Sequence, residues 1–488
     1  MLPIQSFRTL SILGCVGLLA VACLTCRDAK AADELTKQQA VEAMHRAVRF
    51  FNDKVSVQGG YVFQYSSDLS LREGEAKVGP DTAWIEPPAT PSVGMAYLNA
   101  YQLTGDSLLL TAARRTASAL MRGQLLSGGW GEQIEFAEAQ RRQFAYRVDG
   151  KPNAKAKNVS TLDDNKSQSA LSFLIALDAV LEFEDAALRE AIDYGLASLL
   201  DAQYPNGAWP QRYQGKPDAD QFPVLKASYP EDWPRTFPKE KYDSYYTLND
   251  ETQCDTIATM LQAADIYKSK RYFDSAVRGA EFLLLAQMPA PQPGWAQQYD
   301  RSMHPAWARK FEPPAITGGE SQSVMRTLLL MYRRTGNVEF VEAVERALPY
   351  YRRSLLPDGR LPRFLELRTN RPLYLTRQYE LTYEANDLPT HYAFIVGQSL
   401  DAIERELKRV RELPSEKLWE PKKTKAPKYS DKLMREAAER IKDLDRRGAW
   451  VEQGELRKYD HTPGNSIISS KTFIRNLLVL AEFIAADK

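Results

Sequence analysis

Four polar stretches concentrate the side chains with reactive or ligating chemistry. Thr161-Leu162-Asp163-Asp164-Asn165 and Leu248-Asn249-Asp250-Glu251-Thr252 place carboxylates just ahead of helical runs. In that position Asp and Asn serve as caps, accepting hydrogen bonds from free N–H groups. Brought together in space, the same carboxylates supply the oxygen ligands that a hard cation such as Ca²⁺ takes. The other two stretches mix cations with aromatic rings. Trp295-Ala296-Gln297-Gln298-Tyr299-Asp300 leads to Trp307-Ala308-Arg309-Lys310-Phe311-Glu312, and Arg363-Phe364-Leu365-Glu366 leads to Thr369-Asn370-Arg371-Pro372, with Arg377 beyond. An exposed charged loop is one reading. Recognition of a carboxylated sugar is the other: aromatic faces, with Trp209 and Trp295 as candidates, take the ring. Arg309, Lys310, Arg371 and Arg377 take the carboxylate.

Other chemistries find no support. His45, His304, His391 and His461 are scattered without ligand spacing, and there is no Gly-rich phosphate loop or Gly-x-Ser-x-Gly elbow. Lys+Arg 64 against Asp+Glu 63 gives a net charge of +1, without the basic excess of a nucleic-acid-binding protein. An acidic partner must therefore meet clustered cations. Four Cys in 488 residues exclude a disulfide-rich scaffold.

The elements that must position these residues are helices in pairs. Leu108, Leu109, Ala112, Ala113, Thr116 and Leu120 follow a helical period. So do Leu188, Ala191, Ile192, Leu196, Leu199 and Leu200, then Phe273, Val277, Ala280 and Leu284, then Phe340, Val341, Val344, Ala347, Leu348 and Tyr351. A partner helix precedes each run, as at 170–183 and at Ile257, Met260, Leu261, Ala264 and Tyr267. Each pair ends alike: Gln124…Gly128-Gly129-Trp130, Gln203…Gly207-Ala208-Trp209, Gln287…Gly294-Trp295, then Asp358-Gly359, with Gly448-Ala449-Trp450 near the C-terminus. The first three Trp lie 79 and 86 residues apart. A Gly turn followed by an aromatic, repeated at that period, predicts a repeat architecture. Stacked α-hairpins closing into a ring with the turns at one mouth make an α/α toroid the expected fold; an open helical solenoid is the alternative. The toroid is expected over 32–410, a charged connector over 411–428, and helices completing the ring over 429–488. Residues 214–241, rich in Pro, Lys and Asp, form a long insertion that shapes a mouth or lid.

The N-terminus is expected to be cut away. Arg8 precedes an apolar stretch from Leu10 to Leu24, short for a membrane span, and Ala29-Lys30-Ala31 offers small residues for cleavage after Ala31. A lipid anchor at Cys23 is the rival. Losing residues 1–31 removes Arg8, Arg27, Lys30 and Asp28, leaving 61 basic and 62 acidic residues, and only Cys254 among the cysteines. A periplasmic or extracellular monomer without a membrane span follows as the expectation.

Taken in order, the polar stretches resemble the family 10 polysaccharide lyases, pectate lyases with an α/α toroid fold. The residues carrying the likeness are Thr161-Leu162-Asp163-Asp164-Asn165, Gly207-Ala208-Trp209-Pro210-Gln211, Thr247-Leu248-Asn249-Asp250, Trp295-Ala296-Gln297-Gln298-Tyr299-Asp300, the stretch from Ala308 to Ser321, and that from Pro362 to Pro372. The resemblance implies that Asp163 and Asp250 face a Ca²⁺-dependent subsite, that Arg309 removes the proton, and that Arg371 holds the uronate carboxylate. It implies an acidic polysaccharide, polygalacturonate, as substrate. Two departures stand at the ion site: Asn165 replaces a second Asp, and Lys166 replaces a small residue. A lysine there would weaken Ca²⁺ binding or itself neutralise a substrate carboxylate. An inverting glycosidase using Asp163 or Asp164 with Asp250, and a non-catalytic uronate-binding protein, are the other functions such residues allow.

Overall fold

A computed structural model describes residues 36–420 and 426–486; the leader and the cut after Ala31 lie outside the described residues. The periodic runs are helices. They are α1 (Lys37–Phe50), α2 (Thr90–Thr104), α3 (Ser107–Gly123), α4 (Lys166–Val180), α5 (Ala186–Ala202), α6 (Thr252–Tyr267), α7 (Lys270–Leu285), α8 (Glu320–Thr335), α9 (Val338–Arg353), α10 (Leu400–Glu412), α11 (Asp431–Lys442) and α12 (Ser470–Ala485). Local chemistry sets their ends. Asp106, Asp185 and Asn337 cap α3, α5 and α9 by accepting from the N–H groups of Leu108, Leu188 and Glu339. Gly105 and Gly336 stop α2 and α8 in the left-handed conformation.

Helices α2 and α3, α4 and α5, α6 and α7, and α8 and α9 pack as hairpins. Their first members also pack on one another, α2 on α4, α4 on α6 and α6 on α8. On one side α10 joins α8 and α9; on the other α12 packs on α1, α2 and α11. Inner helices must be apolar on most of their surface. Accordingly α4 buries Ala170, Leu171, Phe173, Leu174, Ile175 and Leu177. The fold is the α/α toroid.

The Gly-Trp turns brace the hairpins. Trp130, Trp209, Trp295 and Trp450 each donate their indole N–H to a carbonyl of the preceding helix or its end, those of Leu120, Leu199, Leu283 and Arg440. Gln124, Gln203 and Gln287 each reach back to their own turn and outward to the following outer helix, at Ala191, Ser275 and Ala343. Gly207 has φ +94°, and a Cβ there would lie 2.0 Å from the Arg278 carbonyl oxygen, so only glycine fits. These turns fix where the following loops project.

Short strands carry the loops to the mouth. β1 (Ser160–Thr161) pairs with β2 (Arg212–Tyr213), and β3 (Tyr246–Thr247) pairs with β4 (Gln298–Tyr299), both antiparallel. β5 (Ala315–Thr317), β6 (Phe364–Glu366) and β7 (Pro372–Leu375) form an antiparallel sheet, with Phe364 opposite Thr317 and Leu373. Strands this short show no sequence alternation.

The 214–241 insertion is strapped down rather than loose. Ala227 N–H donates to Leu285, Ser228 N–H to Met303, and the Trp307 indole N–H to the Pro234 carbonyl. Arg235 ion-pairs with buried Glu366 at 2.6 Å. The connector expected over 411–428 is likewise partly packed: Arg334 lies 4.2 Å over the Trp419 ring. Among the described residues, no helix is long and apolar enough to cross a membrane.

Candidate active site

Both acidic motifs use the same unusual backbone. Asp164 and Asn165 have φ of 49° and 57°, and Asp250 and Glu251 have φ of 49° and 60°. Two successive non-glycine residues in the left-handed region are costly, and such strain persists only where the surroundings over-determine it. Here they do. Leu162 N–H donates to the Gln211 carbonyl and Leu248 N–H to that of Gln297, each just ahead of the strand that follows a Trp turn. Gln168 and Gln253 Nε2 donate back to the carbonyls of Leu162 and Thr247. Neither motif caps its helix: the residues preceding α4 and α6, Asn165 and Glu251, make no side-chain cap hydrogen bond. The capping reading is therefore overturned. The strained turn instead aims the carboxylates into the mouth.

One carboxylate oxygen each of Asp163, Asp164 and Asp250 lies within 4.8 Å of the others. Gln211 Nε2 fixes Asp163 at 2.8 Å. Burial pushes the Asp250 carboxyl up to about 7, and repulsion from Asp164 and Asp163 adds to it. Asp163 is raised by burial and then by Asp164. Beside them, Gln211 Oε1 and Asn249 Oδ1 are buried oxygens with no hydrogen-bond partner. Hard oxygen donors, mutual repulsion and unused acceptors fit a divalent cation of the Ca²⁺ type.

Arg309 faces this cluster. Its Nη2 is 3.4 Å from Asp250 Oδ2. Buried Glu312 holds it as a fork, accepting from Nε at 2.9 Å and Nη2 at 2.5 Å, and from its backbone N–H at 3.0 Å. Burial works to lower the Arg309 pKa, but the bonds and charge of Glu312 and the charge of Asp250 outweigh it and hold the guanidinium above its usual range. In this arrangement Arg309 is a cation. Tyr392 extends the network, donating to Glu312 at 3.2 Å and accepting from Gln297 at 3.1 Å. Glu320 accepts from Gln297 and from Arg363, both at 2.8 Å.

The remaining candidates form a rim or leave the site. Lys310 and Arg371 are exposed; Lys310 lies 3.7 Å over the Tyr379 ring and Arg371 3.4 Å over Tyr383. Among the described residues neither has a carboxylate partner. Tyr383 also donates to Glu366 at 2.8 Å, which ties Arg371 to the wall formed by Arg235. Arg377 is 65% exposed and engaged with Asp387 at 3.4 Å. Trp209 and Trp295 are corrections: both are fully buried and bonded inside their hairpins, so neither presents a face to a sugar. The Trp repeat signals a brace, and the rings left at the rim belong to exposed Tyr383 and half-buried Tyr379, which sequence reasoning passed over.

It also missed an acidic wall around Lys166. Glu75, Glu86 and Asp164 offer oxygens within 4.8 Å of one another. Lys166 Nζ lies 3.0 Å from Asp164, 3.2 Å from Glu86 and 3.2 Å from Glu132, with its side chain 1% exposed. Burial alone would lower its pKa; Glu132, Asp164 and Glu86 together hold it above the usual lysine range. No spacing signal links residues 75, 86 and 132 to Lys166, because only the packing of α2 on α4 brings their loops together.

Comparison with known proteins returns the same neighbourhood. Residues 124–362 match the model of the family described as pectic acid lyase. Two solved structures of a family 10 polysaccharide lyase from Cellvibrio cellulosa are similar. One, a mutant in complex with a trigalacturonic acid, is 18% identical and covers 65% of this chain and 98% of its own, at a TM-score of 0.45. The other is 19% identical and covers 68% and 100%, again at 0.45. A cellobiose 2-epimerase from Spirochaeta thermophila is 15% identical over 92% and 96%, at 0.43. No curated protein matches the chain.

Proposed function

We propose, from the premise that this chain is a polysaccharide lyase with a pectic acid lyase domain, that it cleaves a uronate polymer of the polygalacturonate type by β-elimination. One observation carries the reading. The Asp163–Asp164–Asp250 carboxylates meet the Arg309 guanidinium at one mouth, 3.4 Å from Asp250.

Elimination removes the C5 proton beside a carboxylate and expels the C4 oxygen. Negative charge grows on that carboxylate, and groups aimed at growing charge lower the barrier most. Asp163, Asp164 and Asp250 would hold a hard divalent cation, which would supply charge neutralisation to the uronate carboxylate when bound. Lys310 and Arg371 bind carboxylates along the chain, beside the Tyr379 and Tyr383 rings. Arg309 is proposed as the proton acceptor, a role taken from its motif. The geometry sets the condition for that role: the Arg309 guanidinium must first give up a proton to solvent, a loss that the charge of Glu312 opposes even as Glu312 holds the side chain in place.

The close approach of the acidic oxygens favours a shared cation over the inverting glycosidase reading. Inverting enzymes keep two carboxyl groups roughly 6.5–9.5 Å apart to admit a water, whereas oxygens of Asp163, Asp164 and Asp250 lie within 4.8 Å. Export rests on residues 1–31 and belongs to the proposal. The test is a panel of uronate polymers followed by ultraviolet absorbance, with CaCl₂ or with chelator. Unsaturated products on polygalacturonate are expected. New reducing ends without that absorbance, or binding without turnover, would reject the lyase reading.

A further inference from the structure

Lys166 breaks a local rule. It is the first residue of α4, where the exposed N–H groups and the helix dipole favour anions over cations. Its side chain is 1% exposed, and burying an unpaired ammonium costs several kcal/mol. Only the surrounding acids make it tenable. Its Nζ donates a hydrogen bond to Asp164 Oδ2 at 3.0 Å, and oxygens of Glu86 and Glu132 stand at ion-pair distance, 3.2 Å each. Those acids come from three separate segments. Glu86 precedes α2, Glu132 follows the first Trp turn, and Asp164 sits in the strained turn before α4. Glu75 completes the wall, sharing a 4.8 Å cluster with Glu86 and Asp164.

Asp164 is thereby shared. One side of it meets Asp163 and Asp250, and its Oδ2 accepts from Lys166. By backbone conformation Asp164 is the counterpart of Asp250, since each opens a left-handed pair ahead of an inner helix. Lys166 has no such counterpart: Thr252 occupies the equivalent place at the start of α6 and bonds the Asn249 carbonyl instead. The ammonium is therefore an addition to one repeat, placed where two groups of carboxylates adjoin.

We propose that Lys166 is a built-in counter-cation that fills the Glu86–Glu132–Asp164 cradle, so that the carboxylate cluster takes a single divalent cation, on its Asp163–Asp250 side. The proposal rests on the reading above only for that single cation. A tethered ammonium offsets one negative charge of its cradle at any Ca²⁺ concentration and pins Asp164. Removing it leaves Glu75, Glu86, Glu132 and Asp164 as oxygen ligands without a cation, which is the ligand chemistry of a second hard-cation site.

The test titrates CaCl₂ alone, without polysaccharide, into the purified protein by calorimetry, and repeats it on Lys166→Met, which keeps the stem and removes the charge. One Ca²⁺ in the parent and two in Lys166→Met is the expected result. In chelator the variant should also unfold at a lower temperature than the parent and regain the difference with CaCl₂. Equal stoichiometry and affinity in the two proteins would overturn the proposal, as would two Ca²⁺ in the parent. No Ca²⁺ in the parent but one in Lys166→Met would uphold the ammonium's role and remove the Asp163–Asp250 cation. No binding in either would overturn both. Should Lys166→Met fail to fold even with CaCl₂, two parent-derived variants decide. Ca²⁺ binding lost in Asp250→Asn but kept in Glu86→Gln upholds the assignment, and loss in Glu86→Gln overturns it.

Discussion

Glu312→Gln isolates what holds Arg309. The substitution keeps size and shape, so no cavity term enters, and it removes the charge that meets Nε and Nη2 at 2.9 and 2.5 Å. Hydrogen bonds to charged groups are worth about 1.5–3 kcal/mol each, and breaking a buried pair about 3–5 kcal/mol. Glu312 is 2% exposed but Arg309 side-chain exposure is 36%, so solvent recovers part of the loss. A cost of about 2 kcal/mol remains, which lowers the thermal midpoint by about 2 °C in a chain of this size. Turnover should fall more steeply, by about 100-fold, because a reacting group displaced by about 1 Å loses that much. Loss of Glu312 also removes the main influence raising the Arg309 pKa. If Arg309 is the base, the rate limb set by its deprotonation therefore moves to lower pH in the variant. Thermal denaturation by circular dichroism and the pH dependence of kcat on polygalacturonate read the two effects. A variant with parental kcat, midpoint and pH limb would refute both the fork and the base assignment.

Arg309→Lys retains the charge but not the fork, so elimination should be lost while polygalacturonate binding measured by calorimetry persists; retained turnover removes Arg309 from proton transfer. Trp209→Phe should lower the thermal midpoint, since the Leu199 carbonyl loses its indole donor, and leave KM unchanged; a raised KM would restore Trp209 as a sugar contact. Stability should also fall with pH in chelator. Burial raises Asp255 from 3.8 to about 6, Asp250 from 3.8 to about 7, Glu86 from 4.5 to about 7 and Glu251 from 4.5 to about 8. A carboxyl with a raised folded pKa contributes stability that is complete below its unfolded value and lost as pH rises through the folded one. The midpoint in chelator is thus expected to drop from about pH 4.5 to about pH 8, and CaCl₂ to narrow the drop. A midpoint that climbs across that window in chelator contradicts the buried, mutually repelling acids.

The ring was legible because its signals are local and repeated. Apolar spacing within one helix and a Gly-Trp turn after each pair need no long-range information. The Trp residues show where such reading fails. Sequence gives the ring and its period but not which way the indole points, and the two uses, brace and platform, share one residue type. Burial decided it, with the indole N–H of Trp209 and Trp295 committed to Leu199 and Leu283. The mouth was harder for a related reason. Tyr379 and Tyr383 lie in an irregular segment between short strands, where no period marks a functional ring.

The acidic motifs were found for a sound reason and paired imperfectly. Polarity ahead of a helix drew attention to residues 161–165 and 248–252, and capping explains that pattern equally well in sequence. What separates the two is backbone conformation. A capping Asp adopts extended φ/ψ and turns its oxygen to the helix N–H groups, whereas Asp164–Asn165 and Asp250–Glu251 are left-handed and leave those groups to others. The strain, about 1–3 kcal/mol per residue, is offset by the Gln211 and Gln297 carbonyls that receive Leu162 and Leu248. Superposed by that conformation, Asp164 matches Asp250 while Asp163 matches Asn249. The repeat thus supplies two aimed carboxylates, Asp164 and Asp250. Asp163 is a third, present on one side only and held there by Gln211. Lys166 engages Asp164 and not Asp163. The two-fold pattern of the scaffold is therefore broken at three places, Asp163 against Asn249, Asn165 against Glu251 and Lys166 against Thr252, so the charge of the mouth is set by the asymmetry and its geometry by the repeat.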